Sequence, residues 1–275
     1  MDVTKQAGIN GITVTYEDEG TGPALLLVHG HPFDRSMWAP QVAEFAASGY
    51  RVIVPDLRGY GQSTVVPGTT PFPVFAADLA ALLDHLGVAG VVVGGLSMGG
   101  QIAMEFCRRH PGRMRGLLLA DTSAPAETPE GREARYVMAE RLLAEGMGPY
   151  AEEVLGMMVA PATVTGRPQV ARHVLAMMRA APPAGAAAAL RGRAERDDHT
   201  ATLAGLTVPA TVVVGREDAY TPVADAEFMA RTIPDADLVV VDGAGHLPNL
   251  ERPEEFDRAL RGLLARSGHP APARR

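Results

Sequence analysis

Cysteine is almost absent: the 275 residues hold one, Cys107. A single thiol cannot close an internal disulfide, so the fold must be held by its own core, and a reducing, cytoplasmic compartment is expected. Long hydrophobic runs are missing as well. Nowhere do eighteen apolar residues follow one another, and Met1 to Asn10 lacks a charged leader ahead of an apolar stretch. Neither membrane spanning nor secretion is therefore expected. Positive charge is scarce: 25 Lys+Arg stand against 32 Asp+Glu, a formal net charge of -7, with no basic run before Arg274 and Arg275. That balance argues against nucleic acid as a partner. No repeat of fixed period is present, which sets solenoids and propellers aside. There is no G-x-G-x-x-G for a pyrophosphate and no P-loop lysine, so no cofactor is expected.

What is present is alternation. Hydrophobic residues make up 47% of the chain, enough for one large core. Short apolar runs, Leu25 to Val28, Val52 to Val54, Val91 to Val93, Leu117 to Leu119, Val212 to Val214 and Leu238 to Val241, are separated by segments of helical period. Continuous apolar strands alternating with amphipathic helices predict an α/β fold with a mostly parallel sheet covered on both faces. Phe75, Leu79, Leu82, Leu83 and Leu86 mark one helix, ended by Gly87. Ile102, Ala103, Phe106 and Cys107 mark a second, in which Cys107 reads as a packed thiol. A third starts at Pro253 and carries Phe256, Leu260, Leu263 and Leu264. Between residues 125 and 206 the alternation stops. Ala- and Met-rich helical sequence takes over, with breaks expected at Gly148-Pro149, Pro161, Pro168 and Pro182-Pro183. The organisation predicted is a core of residues 1–124 and 207–266, a helical cap of residues 125–206, and a disordered Pro/Ala-rich tail of residues 267–275.

The chemistry is carried by Gly95-Leu96-Ser97-Met98-Gly99, a G-x-S-x-G that follows an apolar strand and opens a helix. The sharp turn leaves no room for a Cβ two residues either side of the serine, and Gly94 and Gly100 add clearance. A serine hydroxyl is a weak nucleophile at neutral pH, so Ser97 needs a base, and the base needs an acid to hold its tautomer. The run ending at Val214 leads into Gly215-Arg216-Glu217-Asp218, and the run ending at Val241 into Asp242-Gly243-Ala244-Gly245-His246. Both place a suitable side chain in a loop at a strand's carboxyl end. Ser97, Asp218 and His246 are the predicted triad.

Together with His29-Gly30-His31-Pro32 and Asp56-Leu57-Arg58-Gly59-Tyr60-Gly61-Gln62-Ser63, these motifs resemble the α/β-hydrolase superfamily over nearly the whole chain. Within it the chain resembles the branch of 3-oxoadipate enol-lactonases, aryl esterases and cofactor-free haloperoxidases. The resemblance implies an eight-stranded sheet with the cap inserted after the sixth strand, and the chain order serine, acid, histidine. It implies an oxyanion hole from the backbone N–H groups of His31 and Met98. A histidine at position 31 departs from the bulky apolar residue usual there. The same resemblance gives Asp56 and Arg58 a structural role, places the triad acid at Asp218 in preference to Asp121 or Glu217, and disfavours epoxide hydrolases and dehalogenases, whose nucleophile is a carboxylate.

His29, His31 and Asp34 do not complete the H-x-H-x-D-H metal pattern, because Phe33 and Asp34 stand where Asp and His are needed. No metal is expected, and His29 reads as a tie for its loop. For the pocket, Phe33, Trp38, Met138, Met158 and Leu247 are the candidate lining residues, with Trp38 also a candidate brace for the following helix. Methionines 138, 147, 157, 158, 177 and 178 suit ordinary helix packing, with one pair available for an apolar substrate. The expected function is hydrolysis of a carboxylic ester or lactone of a small, largely apolar molecule through an acyl-enzyme. C–C bond hydrolysis, thioesterase or perhydrolase activity on the same triad is the alternative, and a non-hydrolytic ligand receptor is the alternative of a different class. A small molecule is the partner expected, and a homodimer is left open.

Overall fold

The computed structural model describes residues 4–268. Eight strands form one sheet: β1 Lys5–Ile9, β2 Ile12–Glu19, β3 Ala24–Val28, β4 Arg51–Pro55, β5 Val91–Leu96, β6 Met114–Ala120, β7 Ala210–Gly215 and β8 Ala236–Val241. Their spatial order is β1-β2-β4-β3-β5-β6-β7-β8. The β1–β2 and β2–β4 pairs are antiparallel and every other pair is parallel. β1 and β2 join through Asn10-Gly11, whose φ angles of 45° and 76° fit the twisted two-residue turn that hairpins prefer.

The first half supplies α1 Ala39–Ala47, α2 Phe72–His85 and α3 Met98–Arg109, and the end of the chain supplies α10 Val223–Thr232, α11 Pro248–Glu251 and α12 Pro253–Arg266. Between β6 and β7 lie α4 Pro129–Glu145, α5 Met147–Met158, α6 Pro161–Gly166, α7 Pro168–Ala180, α8 Pro183–Ala194 and α9 Thr200–Ala204. The core helices pack on the sheet: α3 against β5 and β6, α12 against β6 and β7, α1 against β4. Leu25 to Val28, Val52 to Val54 and Leu117 to Leu119 are fully buried. Each such side chain contributes about 1.5 to 3 kcal/mol of transfer free energy. The two edge strands, β1 and β8, are half open, with Leu238 of β8 exposed.

Trp38 immediately precedes α1 and is fully buried, its ring 5.8 Å from that of Phe256 in α12. It braces two helices. Cys107 is buried in α3, and burial pushes its thiol up to about 11, which makes it a poor nucleophile.

Between β6 and β7, in the segment expected to be the cap, Pro161, Pro168 and Pro183 each open a helix. Gly148-Pro149 does not break one: it lies in the first turn of α5, where the missing N–H of proline has no intrahelical acceptor to lose. The break falls instead at Gly146, whose φ of +76° ends α4. α8 lies backbone-to-backbone on two core loops. A Cβ on Gly185 would sit 1.9 Å from the Gly59 carbonyl oxygen, and one on Gly192 1.8 Å from that of Thr70. The Thr70 N–H also donates to the Ala188 carbonyl at 2.9 Å.

Ser267 closes α12 by donating its hydroxyl to the Leu263 carbonyl at 2.8 Å, and residues 269–275 of the expected disordered tail lie outside the described residues. Among the described residues no helix is long and apolar enough to cross a membrane.

Candidate active site

The site is built on the turn from β5 into α3. Ser97 occupies it with φ 56° and ψ -120°, a left-handed conformation that costs a non-glycine residue about 1 to 3 kcal/mol. The surrounding hydrogen bonds hold it there. The Ser97 N–H donates to the Ala120 carbonyl at 2.9 Å, and the Ser97 carbonyl accepts from Thr122 Oγ1 at 2.8 Å and from the Gln101 N–H at 3.2 Å. The glycines are there for space. A Cβ on Gly95 would fall 2.2 Å from the Gly99 carbonyl oxygen, and one on Gly99 would fall 2.1 Å from that of Val28. Both obstacles are backbone, so Gly99→Ala is expected to lower unfolding stability by about 3 kcal/mol or more, read from urea midpoints. A loss within about 0.5 kcal/mol would show that the turn has slack.

The other two side chains of the expected triad come from the ends of β7 and β8, which pair with each other and lie beyond β6 from β5. Asp218 follows β7, and its side chain is buried. Its Oδ2 meets His246 Nδ1 at 2.8 Å and also accepts from Thr221 Oγ1, while Oδ1 accepts from the Tyr220 N–H at 2.7 Å. Burial pushes this carboxyl up, but the hydrogen bond and charge of His246, with the Thr221 and Tyr220 donors, outweigh it and hold it below the usual range. Asp218 is thus an anion that fixes the proton of His246 on Nδ1 and leaves Nε2 as the basic nitrogen. His246 and Ser97 face one cavity.

Two carboxyls lie behind Asp218 and His246: Asp121, which the sequence offered as an alternative acid, and Glu251, which it did not mark. Asp121, just past β6 with φ 45°, is buried and accepts the Gly215 N–H at 2.9 Å through Oδ1, while its Oδ2 has no hydrogen-bond partner among the described residues. Ligand atoms of Asp121, Asp218 and His246 all lie within 4.8 Å of one another. Burial, then the charge of Asp218, raises the Asp121 carboxyl well above its ordinary value. An acid raised in this way stabilises the fold below its unfolded pKa, about 3.9, and loses that stabilisation as pH climbs toward the folded value. Asp121→Asn keeps the acceptor for Gly215 without a titrating proton. From about pH 4 upward the wild type is expected to lose about 1.4 kcal/mol per pH unit relative to this variant, until Asp121 ionises in the folded protein. Urea midpoints at stepped pH measure the difference, and a flat difference would contradict it.

Glu251, buried in α11, is the second. Its Oε1 accepts from the Gly245 N–H at 2.8 Å and the Leu247 N–H at 3.3 Å, either side of His246. Its Oε2 accepts from the Ala160 N–H at 2.7 Å and Thr163 Oγ1 at 2.6 Å, both in the cap.

The segment after β3 is organised by its histidines. The Leu57 N–H donates to His29 Nε2 at 2.9 Å, so Nδ1 carries the proton and meets the Gly30 carbonyl, also at 2.9 Å. His29 ties two loops together, as expected. His31 Nδ1 meets Tyr60 Oη at 2.7 Å, and burial, followed by the Arg193 and Arg135 charges, holds the ring well below its ordinary pKa. The departure at position 31 therefore adds a neutral polar group to the cavity wall. Asp56 accepts from the Arg35 and Gln62 N–H groups, each at 2.8 Å, and Arg58 grips both oxygens of Asp78. Both serve loop structure.

The cavity measures about 370 Å³, and its lining overturns most of the pocket expected from sequence. Met158 is there. Phe33, Trp38, Met138 and Leu247 are absent from the wall: Phe33 and Leu247 are packed into the core, Trp38 stacks toward Phe256, and Met138 is half-buried against core residues. Nor is the wall largely apolar. The cap supplies Glu127, Arg135, Tyr150, Arg193 and Arg196, and the core supplies His31, Tyr220, Thr221 and Asp225. Methionines 147, 177 and 178 are buried away from this wall, because the cap helices use their apolar faces to pack on one another. The readable signal was Arg193 and Arg196 at i,i+3, which places two cations on one side of the chain at the end of an alanine-rich helix.

A family model described as alpha/beta hydrolase fold matches residues 23–253. Among curated relatives, 3-oxoadipate enol-lactonase 1 of Acinetobacter baylyi is 30% identical over 256 residues, covering 92% of this chain and 94% of that protein. Among solved structures, a thermophilic esterase from Thermogutta terrifontis, with malate bound, is 44% identical with a TM-score of 0.93, covering 97% of this chain and 99% of that one. The enol-lactonase from Burkholderia xenovorans is 29% identical with a TM-score of 0.88, covering 95% and 100%. The strand order, the serine at the β5–α3 turn and these similarities agree: the chain belongs to the alpha/beta hydrolase fold family.

Proposed function

We propose that the protein hydrolyses a carboxylic ester or lactone of a small molecule through an acyl-enzyme on Ser97. The observation that carries this reading is the pairing of His246 Nδ1 with a buried, ionised Asp218 at 2.8 Å, on a cavity that also exposes the strained Ser97. Ser97 Oγ attacks the carbonyl carbon while His246 Nε2 takes the hydroxyl proton. Collapse of the tetrahedral adduct breaks the acyl–oxygen bond, and the same proton passes to the leaving oxygen. Water then attacks the acyl-enzyme, giving one proton to Nε2, which returns it to Ser97 as the acid departs. The backbone N–H groups of Met98, in the first turn of α3, and His31, after β3, serve the developing oxyanion. Donors of this kind contribute about 3 to 4 kcal/mol each. The similar enol-lactonases and esterase support the choice of ester and lactone over other acyl chemistry. The cytoplasm suits a chain whose lone thiol is buried.

A fluorophosphonate probe combined with a steady-state assay on short p-nitrophenyl esters tests the proposal. Labelling of Ser97 with sustained, probe-sensitive turnover is expected. Labelling without repeated turnover would mark a receptor, and failure to label would reject an activated serine.

A further inference from the structure

The cap wall of the cavity has more positive charge than its structure needs. Glu127 Oε1 is shared by three guanidiniums: Arg135 Nη2 at 3.2 Å, Arg196 Nε at 3.6 Å and Arg193 Nε at 3.7 Å. One carboxylate thus faces three cations. Elsewhere in the same molecule a structural arginine has a closely fitted acid, as where Arg58 reaches both oxygens of Asp78 at 2.8 Å. Arg193 has no such match. Its Nε is buried without a hydrogen-bond partner among the described residues, and so is that of Arg196.

Burial and the neighbouring Arg135 push Arg193 down from the usual arginine range to about 9, with Glu127 only partly offsetting them and Arg196 adding to the repulsion. Arginine nevertheless keeps its proton under ordinary conditions, so the demand for negative charge stands. The other acid on the wall, Asp225, is itself raised by burial and by the charge of Asp218. Tyr150 and Tyr220 are raised mainly by burial, so they face the cavity as neutral hydroxyls. The position of Arg193 is fixed by α8, whose Gly192 lies against the Thr70 carbonyl. Arg193 and Ser97 line the same cavity.

We infer that Arg193, with Arg135 and Arg196, forms a subsite for a carboxylate carried by the substrate, so that the enzyme prefers anionic esters or lactones to neutral ones. The core would supply the chemistry and the cap the recognition. A neutral apolar ester entering this cavity would strip water from guanidiniums and give them nothing in return, whereas a carboxylate can accept from the planar fork at two points. The substrate preference rests on the hydrolase reading above; the subsite itself does not.

The test uses wild type, Arg193→Met and Arg193→Lys on two matched pairs: an aryl butyrate against the aryl half-ester of glutarate, and phenyl acetate against para-carboxyphenyl acetate. Wild type is expected to favour the carboxylate-bearing member of at least one pair by about tenfold to a hundredfold in kcat/KM, the range of a charge-assisted hydrogen bond. Arg193→Met should bring that ratio close to one, chiefly through KM, because the contact is the same in ground and transition states. Arg193→Lys should recover part of it. Calorimetric binding of glutarate to wild type, weakened about tenfold or more in Arg193→Met, reads the subsite without turnover. The unliganded Arg193→Met variant should melt no lower than wild type, since one of three crowded cations is gone.

Equal rates within both pairs and no glutarate binding would overturn the subsite, while Ser97-dependent hydrolysis of the neutral esters would leave the hydrolase reading standing. Glutarate binding lost in Arg193→Met, with no ester hydrolysed, would support the subsite and overturn the hydrolase reading. A clear drop in melting temperature would make Arg193 a brace of the cap and overturn the inference. Inorganic phosphate or chloride binding as tightly as glutarate would overturn the assignment to a carboxylate.

Discussion

Ser97→Ala is expected to lower kcat on short p-nitrophenyl esters by about 10⁵- to 10⁶-fold, the cost of removing a nucleophile from a coupled triad. Neither Cys107 nor Thr122 can take its place. Cys107 is buried in α3 with its thiol held up near 11, and Thr122 Oγ1 is engaged with the Ser97 carbonyl. The fold should be unaffected, because alanine and serine carry the same penalty at a φ of 56° and the hydrogen bonds holding the turn are made by the Ser97 backbone. Melting temperature within a degree or two of wild type, with turnover gone, is the result to look for. Turnover within about tenfold of wild type would reject the mechanism outright.

Asp218→Asn should cost about 10⁴-fold in kcat, and the hydrogen bonds around Asp218 explain why so small a change does so much. The Tyr220 N–H donates to Oδ1 at 2.7 Å, and a backbone donor cannot turn round. An asparagine must place its carbonyl oxygen there, which leaves its NH₂ group where Oδ2 meets His246 Nδ1. Thr221 can rotate its hydroxyl to accept, but the imidazole can only give up its Nδ1 proton and carry it on Nε2. The nitrogen that should accept from Ser97 is then already protonated. Nitrogen-15 shifts of His246 should report the switched tautomer alongside the lost rate. Activity within tenfold of wild type would mean that Asp121, which already lies within 4.8 Å of the pair, can orient the base instead.

The catalytic half of the molecule was legible because its constraints are local. A turn that excludes Cβ atoms demands glycines at fixed offsets from Ser97, and apolar runs buried on both faces announce the parallel strands and the loops at their ends. β1 and β2 left no such run: β1 alternates exposed and buried residues, and only Asn10-Gly11 marked the hairpin. The cap was legible as helices but not as a wall. Which face of each helix meets Ser97 is decided by α4 packing on α8 and α5 on α7, contacts with no signature in either partner alone. For that reason the methionines drew attention to themselves, while Arg135, Arg193 and Arg196 were not singled out. Glu251 was hidden for a similar reason, since two of its four partners, Ala160 and Thr163, lie 91 and 88 residues away in the chain.

The reach of Glu251 has a mechanical corollary. With one oxygen on the backbone that flanks the imidazole and the other on residues 160 and 163, this carboxylate ties the two stretches into a single lever. Any displacement of residues 160 and 163 would therefore also slacken the strap on the backbone beside His246.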